Sequence, residues 1–218
     1  ARTIGSPGSG PGQLRNPSAL AIDAGGTLYV GDSGNERIAR FGPGGGYLGA
    51  TTSVGDVRGI AVTPDGSRTY IATSNHRIGV YDPSGSEVDE FGGQGNKLGK
   101  LESPGQIALD AAGQLWVADR GNNRIQAFGP AGERLLALGA RGAGLGEFIH
   151  PSAVSIDCRG TLTVTDSDNN RVQQFALGAP PVTPCTAALP VGNPPPPKLP
   201  TLPAPLGPQL SLRVLRTT

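Results

Sequence analysis

Large aliphatic residues alternate with small or polar ones along this chain in short bursts, and each burst stops at an Asp, a Gly or a Pro. Ile107-Ala108-Leu109 alternates up to Asp110, Ala111-Ala112-Gly113 turns, and Leu115-Trp116-Val117-Ala118-Asp119 alternates again. A period of two puts successive side chains on opposite faces of a strand, so this stretch predicts strand, tight turn, strand. Arg120-Gly121-Asn122-Asn123 then supplies residues that tolerate left-handed turn geometry. Arg124 to Phe128 predicts a third strand, Gly129-Pro130-Ala131-Gly132 a turn, and Glu133 to Leu138 a fourth strand. Residues 20–23 and 154–157 predict first strands of further copies, and Leu28-Tyr29-Val30 and Leu162-Thr163-Val164 their second strands.

The unit occurs four times. Asn35-Glu36-Arg37-Ile38, Asn75-His76-Arg77-Ile78, Asn122-Asn123-Arg124-Ile125 and Asn169-Asn170-Arg171-Val172 are each followed, three residues after the aliphatic, by Phe41, Tyr81, Phe128 or Phe175. Arg37 to Arg77 is 40 residues, and Arg77 to Arg124 and Arg124 to Arg171 are 47 each. Four short antiparallel strands in such a period make one propeller blade. The expected fold is therefore an all-β propeller with four-stranded antiparallel blades over residues 1–178, the repeats running about 6–50, 51–92, 93–139 and 140–178. Small residues between the large ones in each first strand suit the crowded centre of such a fold. The second copy departs from the pattern: it lacks the Gly-rich approach loop and its Pro, and it has Thr73 where the others have Asp32, Asp119 and Asp166.

The pattern resembles the NHL repeat family of β-propellers, whose unit runs Gly-rich loop, Pro, small-aliphatic strand ending in Asp, Gly, strand ending in Asp, Asn-x-Arg-Ile and an aromatic. Propellers of that family usually have six blades, so four copies leave two readings, a closed four-blade ring or part of a six-blade propeller. Ile4-Gly5 matches Phe91-Gly92 and Leu138-Gly139, which makes residues 1–5 a candidate fourth strand to complete the last blade. The resemblance also implies a function of the type of bacterial, extracellular sensor heads.

Twelve of the 21 prolines lie after residue 178, including the run Pro194 to Pro197. Residues 179–208 thus read as an extended Pro-rich linker, and residues 209–218 as the start of a further strand or domain, with more domains of the same chain expected. Cys158 lies in a turn of the fourth repeat and Cys185 in the linker, and a disulfide between them would staple the two together, the alternative being two unrelated thiols. A Pro-rich stalk and one possible disulfide lean toward an extracellular or cell-surface location.

Charge narrows the partners. The propeller part carries 15 of the 18 Lys and Arg against all 17 Asp and Glu, with no basic stripe for a phosphate backbone and few aromatics to stack bases, so nucleic acid is excluded as a partner. No run is long and apolar enough for a membrane span, so this segment is not expected to insert in a membrane.

Candidate chemistry is sparse. Gly31-Asp32-Ser33-Gly34 copies a protease nucleophile string, but it falls in repeat phase with Ala118-Asp119-Arg120-Gly121 and reads as a blade turn. Asp166-Ser167-Asp168-Asn169 resembles part of a calcium loop yet lacks its downstream Gly and Glu. The recurring Asp32, Asn35, Arg37, Asn75, Arg77, Asp119, Asn122, Arg124, Asp166, Asn169 and Arg171 form a structural motif, each Arg held by blade carboxylates or loop carbonyls. By strand order His76 and His150, with Arg15, Asn16, Lys97, Lys100, Arg120 and Arg141, belong to one loop face, and these tips vary between copies while the framework does not. Two histidines fall short of a zinc ligand set, and no catalytic residue, metal or cofactor is assigned. The function expected is a non-catalytic binding or scaffold propeller taking a protein, peptide or glycan, and the alternative is a propeller lyase or hydrolase built around His76 and His150.

Overall fold

The computed structural model of the chain describes residues 2–52, 54–178 and 213–215. The Pro-rich linker, Cys185 and most of residues 209–218 lie outside them. The described residues contain no α-helix; four four-stranded antiparallel sheets follow one another, each a propeller blade. The chain packs as two compact units, Ala1–Ile107 and Ala108–Thr218.

In the first unit β1 (Ser6–Pro7) pairs in parallel with β2 (Gln13–Leu14) across the Gly-rich loop. The first blade is β3 (Pro17–Ile22), β4 (Leu28–Asp32), β5 (Arg37–Phe41) and β6 (Tyr47–Thr52) in sequence order. The second is β7 (Val57–Val62), β8 (Thr69–Thr73), β9 (Arg77–Tyr81) and β10 (Glu87–Gly92). Their inner strands β3 and β7 are neighbours, and Ala19, Tyr29, Ile38, Val57, Ile60 and Ile71 share one buried cluster. The approach is close enough to fix residue type. A Cβ on Gly31 would sit 2.9 Å from Val57 Cγ1, and one on Gly59 2.8 Å from the Gly105 carbonyl oxygen, both inside van der Waals contact.

The third blade is β11 (Ile107–Leu109), β12 (Leu115–Asp119), β13 (Arg124–Phe128) and β14 (Arg134–Leu138). The fourth is β15 (Pro151–Ile156), β16 (Thr161–Asp166), β17 (Arg171–Ala176) and β18 (Arg213–Leu215). In the second unit Trp116, Phe128, Phe148, Leu162 and Phe175 are fully buried, and Ala118, Ile125, Val154 and Phe175 belong to one cluster.

Two details differ from the sequence reading. Strands β3 and β15 begin three residues earlier than the alternation indicated, at Pro17 and Pro151, because a register shift after each Pro leaves Ser18 and Ser152 as bulge residues that break the visible period. Residues 2–5 carry no strand, and β18 pairs with β17, Val214 opposite Phe175.

Candidate functional site

In the first, third and fourth blades the repeated polar residues form a connected network at the end of the second strand. Asp32, fully buried, accepts from the Arg15 backbone N–H (2.6 Å), the Asn35 amide (2.8 Å) and Arg37 Nε (2.8 Å). Asn35 also donates to the Gly8 carbonyl at 3.0 Å, and Arg37 Nη2 to those of Gly10 (3.0 Å) and Gln13 (2.7 Å). The fourth blade repeats the construction: Asp166 accepts from the Ile149 N–H, Asn169 and Arg171 Nε, while Asn169 holds the Gly142 carbonyl and Arg171 those of Ala143, Gly144 and Glu147. The Gly-rich loop in these two blades is thus fastened to the blade it leads into. A buried carboxylate is tolerable because charged and neutral donors surround it. In the third blade Asp119 takes Asn122 and, at 2.7 Å, Arg124 Nε.

The short turns after β4, β12 and β16 are 3-10 turns, Ser33–Asn35, Arg120–Asn122 and Ser167–Asn169, each closed by a left-handed residue, Glu36, Asn123 or Asn170. Blade two has Thr73 in place of the Asp, and its hydroxyl reaches the Arg77 carbonyl at 3.5 Å. Arg77 turns to Glu87 and Glu90 on β10 instead, and Asn75 is exposed.

The two histidines occupy backbone positions set by the repeat. His76 has φ 63°, in the place of Glu36, Asn123 and Asn170, and His150 has φ 50°, in the place of Asn16 and Ser103, each directly before a Pro. His76 Nδ1 accepts the Ser103 backbone N–H at 2.9 Å. Asn123 does the same for the backbone N–H of His150 at 3.0 Å, across an identical separation of 27 residues. His76 is therefore an Asn-like acceptor tying successive repeats. His150 differs: its Nδ1 lies 2.7 Å from Asp168 Oδ2 in a half-exposed pair.

Arg15 and Asn16, both exposed, wall an open hollow of about 460 Å³ with Pro7, Gly8, Ser9 and Leu14. Lys97 and Lys100 share one exposed approach loop, in which Lys100 Nζ donates to the Gly92 carbonyl at 2.8 Å. In the second unit Arg120 opens its 3-10 turn, Arg141 stands in the approach loop, and both are exposed. Among the described residues no group of three or more His, Cys, Asp and Glu side chains is placed to hold a metal ion. No cysteine there is a free thiol. Cys158 lies in the β15–β16 turn, and Cys185 lies outside the described residues.

Sequence patterning missed Gln126 and Gln173. Each sits two residues after its repeat Arg and sends its amide into the carboxylate, Gln126 to Asp119 at 2.9 Å and Gln173 to Asp166 at 3.2 Å. Gln173 also bonds the Gly146 N–H and the Glu147 carbonyl. The signal available was a polar residue at a mid-strand position where the first two copies have Ala39 and Gly79. Turn carboxylates form a second recurring device. Asp23 accepts from Thr27 and Tyr29, and Asp110 from Gln114 and the Trp116 indole. Burial works to raise the Asp23 carboxyl, but the bonds from Thr27, Tyr29 and Gly25 outweigh it and leave the group below its ordinary range. Burial, reinforced by Asp23, pushes the Tyr29 phenol up.

The sequence pattern of the family described as NHL repeat matches residues 14–41, 101–128 and 148–175. The chain carries NHL repeats. Each match runs from the apolar anchor of an approach loop, Leu14, Leu101 or Phe148, to the aromatic near the end of the third strand, and so spans the Asp–Asn–Arg network. The blade outside the matches is the one with Thr73. Among solved structures this NHL chain is similar to Kuenenia stuttgartiensis hydrazine synthase, with TM-score 0.59 and 18% identity over 74% of this chain and 45% of that one. It is also similar to a streptogramin B lyase structure, with TM-score 0.57 and 18% identity over 72% of this chain and 50% of that one. The NHL chain spans about half the length of these proteins, and the likeness is one of fold.

Proposed function

We propose that this NHL chain is a non-catalytic binding module that takes a protein, peptide or glycan on its loop tips. The observation that carries the reading is the division of labour among polar residues. The Asp, Asn and Arg of the first, third and fourth repeats, and His76 with them, make contacts within and between repeats, and the positions that vary between copies, Arg15, Asn16, Lys97, Arg120 and Arg141, are exposed on turns and approach loops. Rigid blades presenting variable loops are a general means of recognition. The basic character of these tips suits a ligand bearing carboxylates or sulfates. An extracellular location is part of the proposal, supported by the Pro-rich composition after residue 178 and the Cys158–Cys185 pair.

The test is a screen of the full chain on arrays of acidic peptides and glycans beside the variant R15A/K97A/R141A. Binding that the variant loses, with its melting temperature unchanged, is the expected result; binding that the variant keeps, or none to either array, overturns the reading.

The His150–Asp168 pair favours the alternative, a lyase or hydrolase. A carboxylate on Nδ1 orients an imidazole and fixes its tautomer, which is what a general base needs. His76 has no part in it, since its Nδ1 is occupied by the Ser103 N–H. A turnover found in a substrate screen that H150Q abolishes and H76N leaves intact would select this reading.

A further inference from the structure

Inner-strand positions that are buried in three blades are exposed in the first. Ile60, Ile107 and Val154 are 3%, 4% and 7% exposed, whereas their counterpart Leu20 is 64% exposed and Ile22, one step along the same face, is 65% exposed. Pro17 is exposed too, where Val57, Pro104 and Pro151 are buried. Leu14, Leu20 and Leu28 border an open apolar hollow of about 570 Å³ beside this face. Each unit shows what normally covers such a face. In the first, Ile60 and Val57 cluster with Ala19, Tyr29 and Ile38 of the preceding blade, and the hydrogen-bonded Ser18 and Ser33 hydroxyls lie 2.8 and 3.1 Å from the Val57 carbonyl oxygen. In the second, Val154 clusters with Ala118 and Ile125 of the blade before it.

In the fourth blade the same covering surface is exposed. Val172 is 55% exposed, while its counterparts Ile38, Ile78 and Ile125 are 1%, 0% and 0% exposed. Ser152 and Ser167 stand where Ser18 and Ser33 stand, with the same hydroxyl contact, 2.7 Å against 2.6 Å. We infer that the Pro17, Leu20 and Ile22 face of one molecule docks on the Val172 face of a second copy of this chain, the Ser152 and Ser167 hydroxyls bonding the Pro17 carbonyl as Ser18 and Ser33 bond that of Val57. Both halves of the contact are already realised between consecutive blades inside each unit, and both exposed surfaces belong to this one sequence. The contact is head to tail, so two copies close it into a ring if the rotation allows and longer assemblies form if it does not. Exposed large apolar side chains gathered on one face are the usual mark of such an interface.

The experiment is light scattering on the full chain from low to about 100 micromolar concentration, with L20E, I22K and V172E each checked for an unchanged melting temperature. The expected result is a mass above 22.1 kDa that rises with concentration. Each single variant should raise the dissociation constant about 10- to 100-fold, the worth of one large aliphatic side chain. An equimolar mixture of L20E and V172E should associate again, because each supplies the face the other lacks. A wild-type chain that stays at 22.1 kDa overturns the inference. A mixture that stays monomeric while the wild type associates also overturns it, since a symmetric contact through one face alone is then in use.

Discussion

Arg124 and Arg77 hold the same place in the repeat and are engaged in different ways. Arg124, 14% exposed, closes a network on the fully buried Asp119, whereas Arg77 meets Glu87 and Glu90 at the surface. Removing one partner of a buried pair strands the other charge, so Arg124→Ala is expected to cost about 3 kcal/mol of unfolding free energy. Arg77→Ala is expected to cost under about 1 kcal/mol, since solvent screens that pair. Urea denaturation of the two variants separates these outcomes, and equal losses would dismiss the difference in role. His76 gives a second test on the same scale. Its left-handed backbone and its acceptor contact to the Ser103 N–H are what Asn123 supplies one repeat later. His76→Asn should therefore stay within about 0.5 kcal/mol of wild type, while His76→Ala loses the acceptor and strains the turn at a cost of about 1–2 kcal/mol.

Blade-on-blade packing at the level of the strand depends on bare backbone. Gly59 on β7 faces the Gly105 carbonyl and the Gln106 Cα at 2.8 and 2.9 Å from where a Cβ would stand. Gly59→Ala is expected to lose about 2 kcal/mol or more in a denaturant melt, because neither backbone neighbour can rotate away. Gly44, with nothing within 4 Å, is the control, and Gly44→Ala should stay within about 0.5 kcal/mol. The strands and turns themselves were legible in sequence, β12, β13 and β14 nearly to the residue, since alternation and turn residues are local properties. The bulges at Ser18 and Ser152 were not, because a register shift is a property of two strands.

Two features concern the whole molecule. A Cys158–Cys185 bond would close a long loop from the β15–β16 turn, and non-reducing peptide mapping should recover the two cysteines in one linked fragment. Reduction should then lower stability by about 3 kcal/mol through the chain entropy released on unfolding, and two separately alkylated thiols in the untreated protein would refute the link. The exposed faces of the first and fourth blades belong to the same scale.

Sequence alone determined the four repeats, their strand order, the Asp–Asn–Arg framework and the residues that vary on its loops. Periodicity and spacing carry those facts because each is settled within a few neighbouring residues. Tertiary structure decided the rest. It made His76 a backbone acceptor, paired His150 with Asp168, sent Gln126 and Gln173 into the buried carboxylates, and left Leu20 exposed where Ile60 is buried. Leu20 and Ile60 sit in the same local pattern, and what buries Ile60 is its packing on Ala19, Tyr29 and Ile38 of the preceding blade, a contact between residues far apart in the chain.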